Sequence, residues 1–166
     1  DSKEVVKYYK NEMKKGDPNA MTLYALMLRD GNGVEKDVKK ALRYIDLALK
    51  KDCPMAIHHY GVTLLEGNGV EPNKEKAFKL FKLAIKKKYY NSCAWIGDML
   101  NDGDGIPVNK KKALKYYLMG ANKAHNSYSM RKAGFMLWNG DGVEENDKKA
   151  AYYFKKASDC GCSISM

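Results

Sequence analysis

Gly67-Asn68-Gly69-Val70 is the stretch that decides the fold, because the chain writes it four times. It recurs as Gly31-Asn32-Gly33-Val34, Gly103-Asp104-Gly105-Ile106 and Gly140-Asp141-Gly142-Val143, with the first glycines 36, 36 and 37 residues apart. Other positions keep the same interval. Asp17-Pro18 answers to Cys53-Pro54, and Ala41, Ala77 and Ala113 are followed one residue late by Ala150. Self-similarity at a period of roughly 20–50 residues marks a stacked-repeat architecture, in which each unit buries its apolar face only against its neighbours.

Working outward from Gly67, each copy reads as a helix A, the glycine loop, a helix B and a short turn. Pro54 suits a helix N-terminus, where its missing N–H is harmless. Helix A then runs from about 55 to 66, and Gly67 can take the left-handed conformation that ends it. Val70 returns the chain to the core. Asn73 can cap the next helix, as can its equivalents Asp37, Asn109 and Asn146. Helix B carries Ala77, Leu80, Phe81, Ala84 and Ile85 at i, i+3, i+4, i+7 and i+8, one apolar stripe. The same frame gives Ala41, Tyr44, Ile45, Ala48 and Leu49, then Ala113, Tyr116, Tyr117, Gly120 and Ala121, then Ala150, Tyr153, Phe154, Ala157 and Ser158. Near the start it gives Val5, Tyr8, Tyr9, Glu12 and Met13, with a charge where the others have a small residue. The extra residue of the last interval falls near Lys123–Ser127, in a turn where insertion costs little.

Helix A has a small residue in register at Ala25, Gly61, Gly97 and Gly134. A mid-helix glycine costs roughly 0.5–1 kcal/mol against alanine, so three in register require a close helix crossing. These features predict an all-α, right-handed superhelix (a solenoid) of about four helix-loop-helix repeats over 18–51, 54–88, 91–123 and 127–160. An N-terminal B-type helix is expected over about 3–15 and a tail over 161–166. The whole of 1–166 reads as one array cut from a longer repeat protein.

The totals agree. A chain 45 % apolar and 30 % charged is too apolar for a disordered one. No run approaches the roughly 18 apolar residues of a membrane span, so direct membrane insertion is not expected. The net charge of +10 comes almost entirely from lysine; Arg29, Arg43 and Arg131 are the only arginines. Phosphate readers favour the bidentate guanidinium, so the excess reads as solvated faces, and nucleic acid is not an expected partner. Cys53 and Cys162 share a repeat position, while Cys93 and Cys160 have no cysteine counterparts. A stapled array would show the same pair in every unit, so reduced thiols in a cytoplasm-like compartment are expected.

These units resemble the Sel-one-like repeats, relatives of the tetratricopeptide repeat with a longer A–B loop. The second unit shows the pattern: Ala56, Tyr60-Gly61, Leu64, Gly67-x-Gly69-Val70, Asn73, Lys76-Ala77, Phe81 and Ala84. Leu28, Leu64, Leu100 and Leu137 stand where the pattern has a helix-A tyrosine, and Ser92 and Ser129 where it opens on alanine. The resemblance implies an adaptor or scaffold that holds other proteins, not an enzyme. A cysteine-rich secreted branch has been linked to β-lactam binding and hydrolysis. The missing cysteine pairs argue against that branch, which stays a minor alternative beside lysine-driven nucleic-acid binding.

Carrying the tetratricopeptide geometry over by register, the concave groove is lined by helix A. It takes Arg29 and Asp30 (with Asn19, Thr22 and Leu26) from the first unit. The second contributes His58, Leu65 and Glu66 (with Met55 and Val62), and the third Asp98, Asn101 and Asp102. The last contributes Tyr128, Arg131, Phe135 and Trp138. This groove is acidic along its middle and ends in aromatics and an arginine, the residue types that dominate interface energetics. The bland alternative is that Phe135 and Trp138 pack under a loop or a following unit.

Other candidates reduce to ordinary roles. Lys79, Lys82 and Lys86, and Lys110, Lys111 and Lys112, fall off the buried frame of helix B, on the convex side. The Gly-x-Gly loops lack the preceding strand and third glycine of a dinucleotide site. Adjacent His58 and His59 diverge on a helix and cannot share a metal as i, i+4 histidines do. Asp98 and Asp102 read as a mutually repelling, solvated i, i+4 pair. No catalytic residue, metal site or cofactor is expected. The expected partner is a protein or peptide, with self-association through apolar array ends as a further possibility.

Overall fold

Each A helix starts and stops where the local chemistry requires. The computed structural model describes residues 2–162, with side chains through Cys160. Of the tail expected over 161–166, residues 161–162 continue the last helix, while 163–166 and the Cys162 thiol lie outside what is described. Nine helices and no strand are found among the described residues, the all-α class that the repeat demanded. They fall into two compact units, Asp1–Lys87 and Lys88–Met166, each treated by itself below.

The first unit holds α1 (Ser2–Lys14), α2 (Pro18–Asp30), α3 (Val38–Lys50), α4 (Pro54–Glu66) and α5 (Lys74–Lys86). The second holds α6 (Ser92–Asp102), α7 (Lys110–Lys123), α8 (Ser127–Asn139) and α9 (Asp147–Cys162). The A helices are α2, α4, α6 and α8. Each ends on a glycine in the left-handed region, Gly67 at φ 69° for example, whose N–H returns to the carbonyl of Thr63. Asp37, Asn73, Asn109 and Asn146 each accept the amide hydrogen three residues on at 2.8–3.0 Å, so all four predicted caps are made. The same four residues donate their own N–H to Leu28, Leu64, Leu100 and Leu137 carbonyls, at 2.8, 2.9, 2.7 and 2.7 Å. The loop is thereby hydrogen-bonded to the helix it leaves, which holds each A–B hairpin at one geometry.

The small helix-A positions meet the large helix-B positions twenty residues later. A Cβ on Gly61 would stand 2.8 Å from the Phe81 ring, one on Gly97 2.5 Å from Tyr117, and one on Gly134 2.7 Å from Phe154. In the first repeat, where the small residue is Ala25, the partner is the slimmer Ile45. Phe81 and Tyr117 are fully buried. The interiors are therefore built from size-matched pairs, with Met21, Ala48, Cys53 and Ala56 knitting successive hairpins of the first unit.

Two details differ from the sequence reading. In α1 the buried residue is Val6, with Tyr9 and Met13 packed beside it, whereas Val5 and Tyr8 are exposed. That helix packs principally on α2, and it does so through the face that carries Val6, Tyr9 and Met13. The B-to-A turns place Gly16, Asp52, Lys88 and His125, again one per repeat, at positive φ. Three of the four are therefore non-glycine residues in the left-handed region.

Candidate interaction site

In the second unit, α6 and α8 lie side by side and expose a continuous set of functional side chains. Along α8, Tyr128, Arg131, Phe135 and Trp138 recur at i, i+3, i+7 and i+10 and are all exposed, Trp138 to 56 %. Phe135 and Trp138 are anchored beneath by Phe154, with ring centroids 5.0 and 6.4 Å away in edge-to-face geometry. Beside the stripe is a cavity of about 350 Å³ lined by Asn101, Tyr117, Tyr128, Arg131, Lys132 and Phe135, with Asn139 and Asp141 also in its wall.

A polar network fixes one wall. Tyr117 is fully buried, and its hydroxyl donates to Asp98 Oδ1 at 2.6 Å. Tyr128 donates to the same carboxylate at 2.9 and 3.0 Å. Lys132 lies 3.9 Å from Asp98 and 5.4 Å above the Tyr128 ring. Burial, reinforced by the Asp98 carboxylate, pushes both tyrosines above the ordinary phenol range, so each stays a neutral donor. Asp98 is thus not the solvated half of a repelling pair. It accepts from two tyrosines, while the exposed Asp102 accepts from the Asn101 amide at 2.6 Å. Lys110 engages Asp141, another of the lining residues.

In the first unit the predicted residues are brought together only in part. Arg29 clasps Asp30 with two hydrogen bonds, Nε to Oδ1 at 2.7 Å and Nη2 to Oδ2 at 2.9 Å. That contact raises the guanidinium pKa and lowers that of the carboxyl, so neither is a spare charge. Leu65 is half-buried and Glu66 exposed. His58 is buried, 5.5 Å from the Phe81 ring and edge-on to His59, so it belongs to the core and not to a groove. Burial, then the neighbouring His59, depresses its pKa to about 3. His59, absent from the predicted site, is the histidine that senses Arg29 and Asp30; burial and then Arg29 lower it to about 4. Thr22 and Val62 are likewise buried, because A helices pack on one another through that face.

The helix-A register gives only part of the cavity's polar wall. Tyr117 sits in the helix-B core, yet its hydroxyl reaches the site. Lys132, beside Arg131, and Asp141 of the glycine loop complete the lining from outside that register. No group of three or more potential metal ligands occurs among the described residues. Cys53 and Cys93 are buried thiols, and burial pushes Cys93 up to about 12, which leaves it unreactive. No described helix is long and apolar enough to cross a membrane.

Comparison with known proteins gives a consistent result. A family model described as Sel1 repeat matches residues 18–53, 54–89, 91–125 and 127–162. No curated protein gives a significant match. A Sel1 repeat protein from Oxalobacter formigenes is similar at 28 % identity and TM-score 0.87, over 97 % of this chain and 65 % of that one. The protective antigen c5321 of uropathogenic Escherichia coli shares the fold at 22 % identity and TM-score 0.82, over 94 % of this chain and 33 % of that one. Helicobacter pylori cysteine rich protein B is 27 % identical at TM-score 0.60, over 78 % of this chain and 95 % of its own. The chain thus spans about two thirds of the first relative and one third of the second.

Proposed function

The chain belongs to the Sel1-repeat family, and on that premise we propose that it is a scaffold whose exposed helix-A side chains grip a protein partner. Sel1-repeat proteins are typically protein-interaction scaffolds and are generally non-catalytic. The observation that carries the finer reading is the α8 stripe. Tyr128, Arg131, Phe135 and Trp138 stand exposed in one row beside the cavity, whereas Thr22 and His58, the equivalents of Arg131, are buried in the first unit. Aromatics and arginine are the side chains that give most energy per contact when a partner dehydrates them. Arg131 has no carboxylate partner among the described residues, so its donors are available to a partner's oxygen atoms.

In this reading Phe135 and Trp138 supply apolar area, Arg131 supplies orientation, and Asp98 holds Tyr128 upright as the wall between them. The test is a quantitative pull-down from source-cell lysate with the native chain and an Arg131→Glu plus Trp138→Ala variant. Circular dichroism first establishes that both are equally helical. Partners lost selectively from the variant support the α8 site. Unchanged partners rule it out and move recognition to another face.

A further inference from the structure

A second surface lies on the opposite kind of seam, where two B helices of the first unit stand apart. On α1, Lys3, Lys7, Lys10 and Lys14 fall at i, i+4, i+7 and i+11. That spacing keeps all four on one side of the helix over about 16 Å. They line an open groove of about 660 Å³ together with Lys40 and Tyr44 of α3. Its accessible apolar surface comes from the half-buried Met13 and Tyr44, over the buried Val6 and Tyr24, and Lys10 is drawn over the Tyr24 ring at 5.6 Å. Five lysines and not one carboxylate line this groove. The acids of α1 point elsewhere in function: Glu12, for example, is engaged by Lys15 at 2.7 Å.

The same chain shows what a closed seam looks like. Between α7 and α9 in the second unit, Asn122 donates to the Tyr153 hydroxyl at 3.3 Å and accepts from Lys156 at 3.1 Å. By repeat register Asn122 corresponds to Lys14 and Tyr153 to Tyr44. That position is Lys14, Lys50 and Lys86 in the B helices of the first unit, so the bridging amide is particular to α7, and between α1 and α3 Lys14 and Tyr44 line an open groove instead.

We propose that the α1–α3 groove is a second docking site, distinct from the α8 surface, that takes an extended acidic segment of a partner protein carrying apolar side chains between its carboxylates. Lys7, Lys10, Lys14 and Lys40 bring four like charges around one groove, which is unfavourable without an anion to relieve it. An acidic segment supplies both the carboxylates and the apolar contact. A nucleic acid fits less well, because Tyr24 is buried and presents no free ring face for base stacking, and the groove holds no arginine.

The probe is a short fluorescein-labelled peptide of alternating glutamate and leucine pairs, titrated by anisotropy against the whole chain. The comparison variants are Lys7→Glu plus Lys14→Glu in the groove and Lys111→Glu plus Lys112→Glu outside it, which change the net charge equally. Selective weakening by the groove variant, about tenfold or more, with the other variant within about twofold of native, supports the proposal. Equal weakening by both pairs overturns it, since net charge alone would then account for binding. So does an absence of binding at low salt, or tighter groove-dependent binding of a single-stranded oligonucleotide of equal charge. Both variants change only exposed side chains, and matching thermal melts exclude misfolding as the cause.

Discussion

Asp98 and Tyr117 are two places where the third repeat departs from the others, and they depart together. The positions equivalent to Asp98 hold Leu26, Val62 and Phe135, while those equivalent to Tyr117 hold Ile45, Phe81 and Phe154. A buried hydroxyl needs a partner, and the one carboxylate in that register provides it at 2.6 Å. Asp98→Val should therefore destabilise by about 1–3 kcal/mol, because it strands a buried phenol. Adding Tyr117→Phe should recover much of the loss, since it restores the apolar pair of the second repeat. Urea unfolding of the two single variants and the double measures the coupling, and strict additivity would refute it. Ser129 poses the converse case. Its hydroxyl is fully buried and has no hydrogen-bond partner. Ser129→Ala, which matches the alanine of the repeat pattern, should stabilise by about 1 kcal/mol and raise the unfolding midpoint. A fall in the midpoint would mean that the hydroxyl is satisfied in solution.

At the scale of the helices, the decisive contacts are the glycine–aromatic crossings. Gly→Ala inside an exposed helix normally stabilises by roughly 0.5–1 kcal/mol. Gly61→Ala should do the opposite, costing about 1–3 kcal/mol, because its methyl would stand 2.8 Å from a fully buried Phe81. The first repeat contains the natural remedy in Ala25 and Ile45. The double variant Gly61→Ala plus Phe81→Ile should thus be more stable than the sum of the single changes. Thermal melts of the four proteins decide this. The three in-register glycines were legible as a close crossing from the sequence. What they cross was not, until packing paired each with the helix-B residue twenty positions on. The α1 frame misled for a related reason. Periodicity identifies a helix face, but the width of face buried depends on how many neighbours cover it.

Across the molecule, charge and buried histidine set the response to pH. His58 titrates near 3 and His59 near 4 when folded, against about 6.5 for an unfolded histidine. Between those values the unfolded chain binds more protons than the folded one, so acid favours unfolding. Stability should be level above about pH 7, then decline from about pH 6.5 toward pH 4 by up to roughly 1.4 kcal/mol per pH unit for each histidine. His58→Leu should reduce that slope by about one proton. Urea midpoints at several pH values test this, and an unchanged slope in the variant would contradict the burial of His58 as its cause. The site reading shifts at this scale too. Asp30 and Asp98 looked like free acid along a groove, yet Arg29, Tyr117 and Tyr128 already occupy them.

The sequence alone determined the repeat, the all-α class, the helix stops at the glycines, the four caps and the small-residue register of helix A. These are properties of neighbours along the chain: dihedral preference, capping groups and apolar period act within a few residues, and a repeat states them four times. Tertiary structure decided which of two adjacent histidines is core and which of the candidate charges are already paired. It also decided that Arg131 stands exposed on α8 while its counterpart Thr22 is buried, and that the α1–α3 seam opens into a lysine-lined groove. Those outcomes depend on distances between helices that sequence position does not encode. A side chain's partner and its share of solvent exist only once the helices have packed.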